Sequence, residues 1–371
     1  MFADFLLINE TPVFLGGYAT YYKSDNFTEG LRIQSLKGLL RYWLRAYLAG
    51  AGMEIKEIKK KTCKLLGGRV DKEAFASRIQ IKSRIIEEEP YIFDDKRIPR
   101  VNLLLRKRQK LDCARLLKVR LSLNERLGIN LSGNEKGLII GSLLTSLLLS
   151  GLGKMGRRGF GTFKIDMQED GSGLFYNDIN NIIFNKNTSD KERKEAIIRI
   201  IENTKKNIID EKPIKNIPPI HAIHKKYFKL IYVPIMEKPE DIISKLQRFT
   251  LRSERTKVIL GNFRARDEIT KKHLAWFLGL PRTQRSTGYI IEDKQVQRRS
   301  SPIFFSVHKD FALISLFLSS DWPANLKWKG VKEVQLPIEL NAIREAYEVV
   351  FNLLKKYLEK LNYEYDVIYG D

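Results

Sequence analysis

An apolar run from Gly137 to Ser150 ends on a loop that holds five glycines and three cations, Gly151-Leu-Gly-Lys-Met-Gly-Arg-Arg-Gly-Phe-Gly161. The loop passes directly into the strand-like Thr162-Phe-Lys-Ile165. This helix–loop–strand order constrains the fold more than any other stretch. Glycine lets a backbone turn through φ > 0 and approach another backbone closely, and Lys154, Arg157 and Arg158 add positive charge where the loop N–H groups point. The ligand predicted for Gly153, Gly156 and Gly159 with these cations is a phosphate chain. Gly151, Gly153 and Gly156 also spell G-x-G-x-x-G, but that fingerprint follows a strand and opens a helix. Here a helix comes first, and its C-terminus carries negative partial charge, so no nicotinamide or flavin cofactor is expected. A helix C-cap alone would need one glycine. Gly153-Lys154 is followed by Met155 and lacks the earlier glycine of a P-loop, which argues against ATP hydrolysis.

The chain carries 66 Lys and Arg against 44 Asp and Glu, a net charge of +22. The excess is spread as +12 over residues 1–170 and +10 over 171–371, so both halves can face one polyanion, and nucleic acid is the default partner for such a field. Abundant surface ion pairs of a thermophile would explain many charges but not their imbalance. At 371 residues and 43% apolar content two cored domains are expected. Cys63 and Cys113 stand without a C-x-x-C pair or a histidine cluster, so neither a disulfide framework nor a metal site is indicated. No apolar run reaches the length of a membrane span, and Met1-Phe-Ala-Asp-Phe-Leu-Leu-Ile8 lacks a signal-peptide pattern. The expected compartment is the cytoplasm.

Phe2–Asn9 reads as a first strand, followed by a Pro/Gly-punctuated loop. From Ser35 to Ala49 the residues Leu36, Leu39, Leu40, Trp43, Leu44 and Tyr47 form one helical stripe. Lys37, Arg41 and Arg45 line the other side with no acidic residue between Gln34 and Gly50, so the stripe reads as a binding face. After a basic linker, Ser77–Ile86 and Arg115–Leu123 alternate like strands, the latter with Lys118, Arg120 and Ser122 on its polar face. Strand, helix, strand, strand, helix, strand is the ferredoxin-like unit. Residues 169–220 read as a junction, interrupted by a helix with a Ser189/Glu192 capping box that runs to about Ile209. Beyond it, 226–234, 300–307 and 311–319 are expected as strands, and 240–250, 268–279 and 338–361 as helices.

Four segments together resemble the RAMP superfamily of CRISPR-associated proteins: Leu31–Arg45 after a Gly-Gly-containing loop, Leu65-Leu-Gly-Gly68, Arg157-Arg-Gly-Phe-Gly161, and Gly279-Leu-Pro-Arg282 with Arg298-Arg-Ser-Ser-Pro302. Within it they are most similar to the first-numbered RAMP subunits of type III-B (Cmr) effector complexes. The resemblance implies an α+β fold of two ferredoxin-like (RNA-recognition-motif-like) domains in tandem with added helices. The implied division is 1–168 with the glycine-rich loop, 169–220 as junction, and 221–371 closed by an amphipathic helix. It implies a subunit without cleavage activity of its own, whose partners are single-stranded RNA (guide and/or target) and other CRISPR effector subunits, with no membrane and no small-molecule cofactor. Arg158-Gly-Phe-Gly161 also matches the first half of an RNA-recognition signature, although Thr162 and Ile165 stand where aromatics are expected.

The expected RNA track runs over Arg32, Lys37, Arg41 and Arg45, the loop residues Gly153, Lys154, Gly156, Arg157, Arg158, Gly159 and Phe160, and Arg298 and Arg299. Phe14 and Tyr18, in the loop before the first helix, are candidates for stacking on an unpaired base. The alternative is a metal-independent RAMP-type endoribonuclease, which needs a general acid–base near a 2′-hydroxyl. Its candidates are His221 and His224, because the first 220 residues contain no histidine. A third reading is a structural adaptor docking through its C-terminal helix.

Overall fold

The computed structural model describes residues 1–14, 31–105, 111–284, 287–292, 298–330 and 333–370. The chain opens with β1 (Ala3–Asn9), α1 (Ile33–Gly50), α2 (Ile55–Leu66), a ribbon of β2 (Gly67–Val70) and β3 (Glu73–Ser77), and the long β4 (Ile79–Ile92). There follow α3 (Pro99–Leu105), β5 (Asp112–Glu125), α4 (Gly133–Leu149), β6 (Phe163–Asp170), a π-helical turn at Asp178–Ile183 and α5 (Asp190–Lys206). The second half holds β7 (Phe228–Pro234), α6 (Pro239–Phe249), α7 (Arg252–Leu260), α8 (Glu268–Lys271) and a 3-10 turn at Ala275–Leu278. It continues through β8 (Arg282–Gln284), β9 (Thr287–Ile291), β10 (Ile303–Val307) and β11 (Phe311–Phe317). The chain closes on β12 (Asn325–Lys329), β13 (Val334–Pro337), α9 (Leu340–Lys360) and β14 (Asp366–Tyr369).

The result is a mixed α/β structure with several antiparallel sheets. One sheet has the order β4-β5-β1-β6 and a second the order β10-β11-β7-β14. In both, the first strand in the chain lies between the third and the fourth, and helices connect first to second and third to fourth. A third sheet, β13-β12-β9-β8, was not expected from the sequence. Its short strands carry mixed polar patterns and are drawn together only by tertiary contacts.

The first sheet is buried on one face only. Phe5 and Leu7 of β1, Leu117, Val119, Leu121 and Leu123 of β5, and Phe163, Ile165 and Met167 of β6 face the core, as their period-2 spacing requires. The other face holds Leu6 and Ile8 amid Lys82, Arg84, Lys118, Arg120 and Lys164, all half-buried or exposed. The second sheet is buried on both faces. Phe228, Leu230, Tyr232, Phe304, Phe311, Leu313 and Phe317 join the core of the N-terminal helices. The alternate residues Ile231, Val233, Ile303, Phe305, Ala312, Ile314 and Leu316 join the core beneath α6 and α9.

This layering explains α4. A helix hydrophobic all round has to be enclosed on all sides, and residues 137–149 are buried throughout because the helix lies between the first sheet and strands β10 and β11. Its N-terminus has a complete capping box, Ser132 with Glu135. Gly141 lets α5 approach, since a Cβ there would lie 2.0 Å from Thr204 Oγ1.

Several expectations are corrected. The basic linker contains helix α2, whose Ile58, Thr62, Cys63, Leu65 and Leu66 are buried despite its lysines. The helix expected over 268–279 breaks after Lys271, where His273 takes a positive φ of 55°. The α5 helix and its Ser189/Glu192 capping box are as read. Among the described residues no helix is long and apolar enough to cross a membrane.

Candidate nucleic-acid interface

The glycine loop is wedged between the two halves of the chain and folded on itself. Gly151 N–H donates to Gly156 O (2.6 Å), Leu152 N–H to Gly161 O (2.8 Å) and Lys154 N–H to Phe14 O (2.8 Å). Gly161 N–H reaches Pro12 O at 3.1 Å. Residues 157–159 run along the edge of β10, where Gly159 N–H donates to Phe305 O (2.9 Å) and Phe305 N–H to Arg157 O (3.2 Å). Glycine is required because backbone meets backbone. A Cβ would lie 1.8 Å from Phe160 O at position 151, 2.1 Å from Gly151 O at 156 and 2.0 Å from Leu152 O at 161. At Gly159 it would strike Ile243 and Val307 of the second half.

These contacts correct the expectation that loop amides cradle phosphate. The N–H groups of residues 151, 152, 154, 156, 158, 159 and 161 donate to backbone oxygens of the protein itself. Gly156 and Gly159 are buried and serve as spacers, whereas Gly153 is exposed at φ 85°. With seven of the eleven loop N–H groups so committed, the charge that the loop offers a ligand comes chiefly from its side chains.

Lys154 is exposed, with no carboxylate partner among the described residues. Arg157 is half-buried, its guanidinium 4.7 Å from the Tyr42 ring centroid and 4.6 Å from that of Phe304, with Nη1 3.3 Å from Ser300 Oγ. Arg158 pairs with Phe305 of β10 in an isolated parallel bridge. Its main-chain oxygen accepts from Gln247 Nε2 at 2.9 Å. Its Nη1 is enclosed without an acceptor. Burial, then the charges of Arg100, Arg282 and Arg157, pushes its guanidinium down to about 9.

The aromatic candidates fold inward. Phe14 is 2% exposed and Phe160 is fully buried. Together with Phe93 they form a mutually edge-on trio with centroids 5.0–5.6 Å apart. Neither Phe14 nor Phe160 is free to stack on a base, a correction that follows from the area each ring removes from water. Tyr18 lies outside the described residues.

The α1 stripe is partly committed. Arg41 Nη2 donates to Leu66 O (3.0 Å) and Gly67 O (2.7 Å) and so caps the carbonyl end of α2. Lys37 Nζ bonds Ser77 Oγ at 3.2 Å, and burial, then Arg41, lowers its pKa. Arg45 has an enclosed Nε without an acceptor, and Arg32 stands half-buried at the N-cap of α1. The stripe is therefore a scaffold for α2 and β3 as much as a binding face.

Arg298 is exposed, but Arg299 is only 7% exposed and is removed from the track. Its Nη2 reaches Asp321 Oδ1 (2.8 Å), Ser319 Oγ (3.0 Å) and His221 Nε2 (3.1 Å), and its plane lies 4.5 Å from the Trp322 centroid. Because an arginine only donates, His221 Nε2 accepts, which places the ring proton on Nδ1 facing Tyr42 Oη. Burial, then Arg299 and Arg157, holds the His221 pKa well below 6.5. His308 is also enclosed, between Glu10 Oε2 (2.7 Å) and Leu148 O (3.0 Å). The half-buried His224 accepts from Lys226 N–H. Among the described residues, no three His, Cys, Asp or Glu side chains gather as metal ligands.

Residues 8–164 match the sequence model of the RAMP superfamily. No curated protein matches the chain. Among solved structures, the apo crystal structure of Cmr1 from Pyrococcus furiosus is similar over 100% of this chain and 99% of its own, with a TM-score of 0.58 and 18% identity. A chain of the cryo-EM structure of type III-B Cmr-beta bound to cognate target RNA and AMPPnP, in the presence of ssDNA, covers 95% of this chain and 99% of its own, with a TM-score of 0.62 and 15% identity. A chain of Cmr-beta bound to cognate target RNA has a TM-score of 0.56 and 14% identity, with coverage of 95% and 99%.

Proposed function

We propose that this chain, a RAMP superfamily match over residues 8–164, is a non-catalytic RNA-binding subunit of a type III-B (Cmr) RNA-guided antiviral effector complex. It contacts guide and/or target single-stranded RNA and assembles with other effector subunits. The two sheets of equal strand order are read as ferredoxin-like units in tandem, 1–168 and 221–371, joined by 169–220. The observation that carries the reading is the side-chain charge at their seam: Lys154 exposed and Arg157 spread over two rings, neither with a carboxylate partner among the described residues, in a chain of net charge +22. Cations held in this way track a phosphate backbone without reading sequence.

The test is the salt dependence of affinity for a single-stranded oligoribonucleotide. Each phosphate contact removed lowers the log–log slope by ~0.7, so Lys154→Ala with Arg157→Ala is expected to lower it by ~1.4. Equal affinity and equal slope in the double variant and the parent would overturn the reading.

A further inference from the structure

We infer that Arg100, Arg158 and Arg282 form a seat for one phosphate group, an inference that rests on the RNA-binding reading and gives it a fixed point. The three residues come from distant parts of the chain: the first turn of α3, the glycine loop and the first position of β8. Helix α6 and the residue that ends it bring them together. Gln247, 1% exposed, donates from Nε2 to Arg158 O (2.9 Å) and accepts at Oε1 from Arg100 N–H (3.1 Å). Thr250 O, just beyond the same helix, accepts from Arg282 Nη2.

Among the described residues no carboxylate forms an ion pair with any of the three guanidiniums. The Arg158 guanidinium makes no hydrogen bond or ion pair there, its Nη1 is closed off, and the half-buried remainder leaves an edge open. Arg100 is exposed and has no carboxylate partner among the described residues. Asp267, which lies near Arg282, is spent on Arg255; both side chains are 1% exposed, and Asp267 Oδ1 also accepts from Thr270 N–H (2.9 Å) and Oγ1 (2.8 Å). Burial comes first among the causes that lower Arg158 to about 9 and Arg282 to about 10; neighbouring guanidiniums add to it, and at Arg282 Tyr289 and Asp267 offset it in part.

Packing like charges together in a dry place is unfavourable unless an anion completes the site. Guanidiniums meet phosphate through paired N–H···O bonds, which a carboxylate or chloride matches less fully than a tetrahedral oxyanion. Arg158 adjoins Arg157 in the loop, and the Arg157 charge is among those that reach it, so the seat and the loop cations belong to one positive region. The source is an internal phosphodiester or a terminal phosphate, which share this chemistry.

The experiment compares the parent with Arg158→Gln, with the pair Arg100→Gln and Arg282→Gln, and with Lys154→Ala plus Arg157→Ala. Each is titrated with an oligoribonucleotide bearing hydroxyl ends and with the same oligomer phosphorylated at its ends. Losing a charge-assisted bond to phosphate is expected to weaken RNA affinity about tenfold or more in the Arg100/Arg282 pair. Equal loss on both oligomers assigns an internal phosphodiester; loss confined to the phosphorylated one assigns a terminal phosphate. Without ligand, Arg158→Gln is expected to melt higher than the parent, because it removes an uncompensated buried charge, and this also shows that the variant folds. Parental affinity in both seat variants, with the Lys154/Arg157 variant still weakened, overturns the seat and leaves the RNA reading standing. A parent that binds neither oligomer overturns both, and an arginine-dependent rise in melting with inorganic phosphate, combined with parental RNA affinity in both seat variants, overturns the assignment to RNA.

Discussion

Replacing Gly161 by alanine separates a loop that holds the halves together from one that cradles phosphate. Gly161 has φ 70°, and a Cβ there would stand 2.0 Å from Leu152 O and 3.0 Å from Leu152 N. An alanine in the left-handed region costs about 1–2 kcal/mol. The overlap is with backbone, so relief must shift the Leu152 peptide and lengthen its 2.8 Å bond to Gly161 O, at about 1–3 kcal/mol. The sum is ~2–5 kcal/mol. Unfolding entropy near 2.1 cal/mol/K per residue gives ~0.8 kcal/mol/K for 371 residues, so the melting temperature is expected to fall by ~3–6 °C. Differential scanning fluorimetry reads this, and RNA affinity below the transition is expected to match the parent. The reasoning is refuted if melting is unchanged while RNA affinity is lost, because the glycine would then be presenting its backbone to the ligand.

His221→Gln reports on the Tyr42–His221–Arg299 chain. The fold keeps His221 neutral whereas the unfolded chain takes up its proton near pH 6.5, so below that pH the unfolded state binds more protons and stability falls, by up to ~1.4 kcal/mol per pH unit. The glutamine variant is expected to show a shallower acid limb between about pH 6.5 and 5 in thermal melts, and identical limbs would contradict the burial argument. Phe160→Ala should cost ~3–5 kcal/mol of stability with RNA affinity of the folded protein unchanged; loss of affinity at parental stability would restore the stacking role.

The first helix was legible because its stripe obeys the 3.6-residue period: Leu36, Leu40, Trp43, Leu44 and Tyr47 are all buried. Helix α4 was legible as a helix, but its sequence could not say that it has a sheet on either side. Helix α2 was hidden by five lysines, as many as its buried residues, that occupy its outer face. The site was less legible than the fold, because a cation's availability is decided by partners far away in sequence. Arg41 is taken by the carbonyls that end α2 and Arg299 by Asp321, while Arg100 and Arg282 gain their meaning only beside Arg158. Five glycines in one loop signalled close approach correctly. The approaching backbone proved to be the protein's own.

Enclosure of α4 between two sheets also sets a timetable for synthesis. Its outer face waits for β10 and β11, about 150 residues downstream. At ~5–20 residues per second, a ribosome needs on the order of 10–30 s to deliver them. During that interval the apolar face of α4 that β10 and β11 later cover is part of a sticky surface. The nascent chain therefore depends on chaperone cover or fast partner capture at that stage, and chains cut near residue 170 should aggregate.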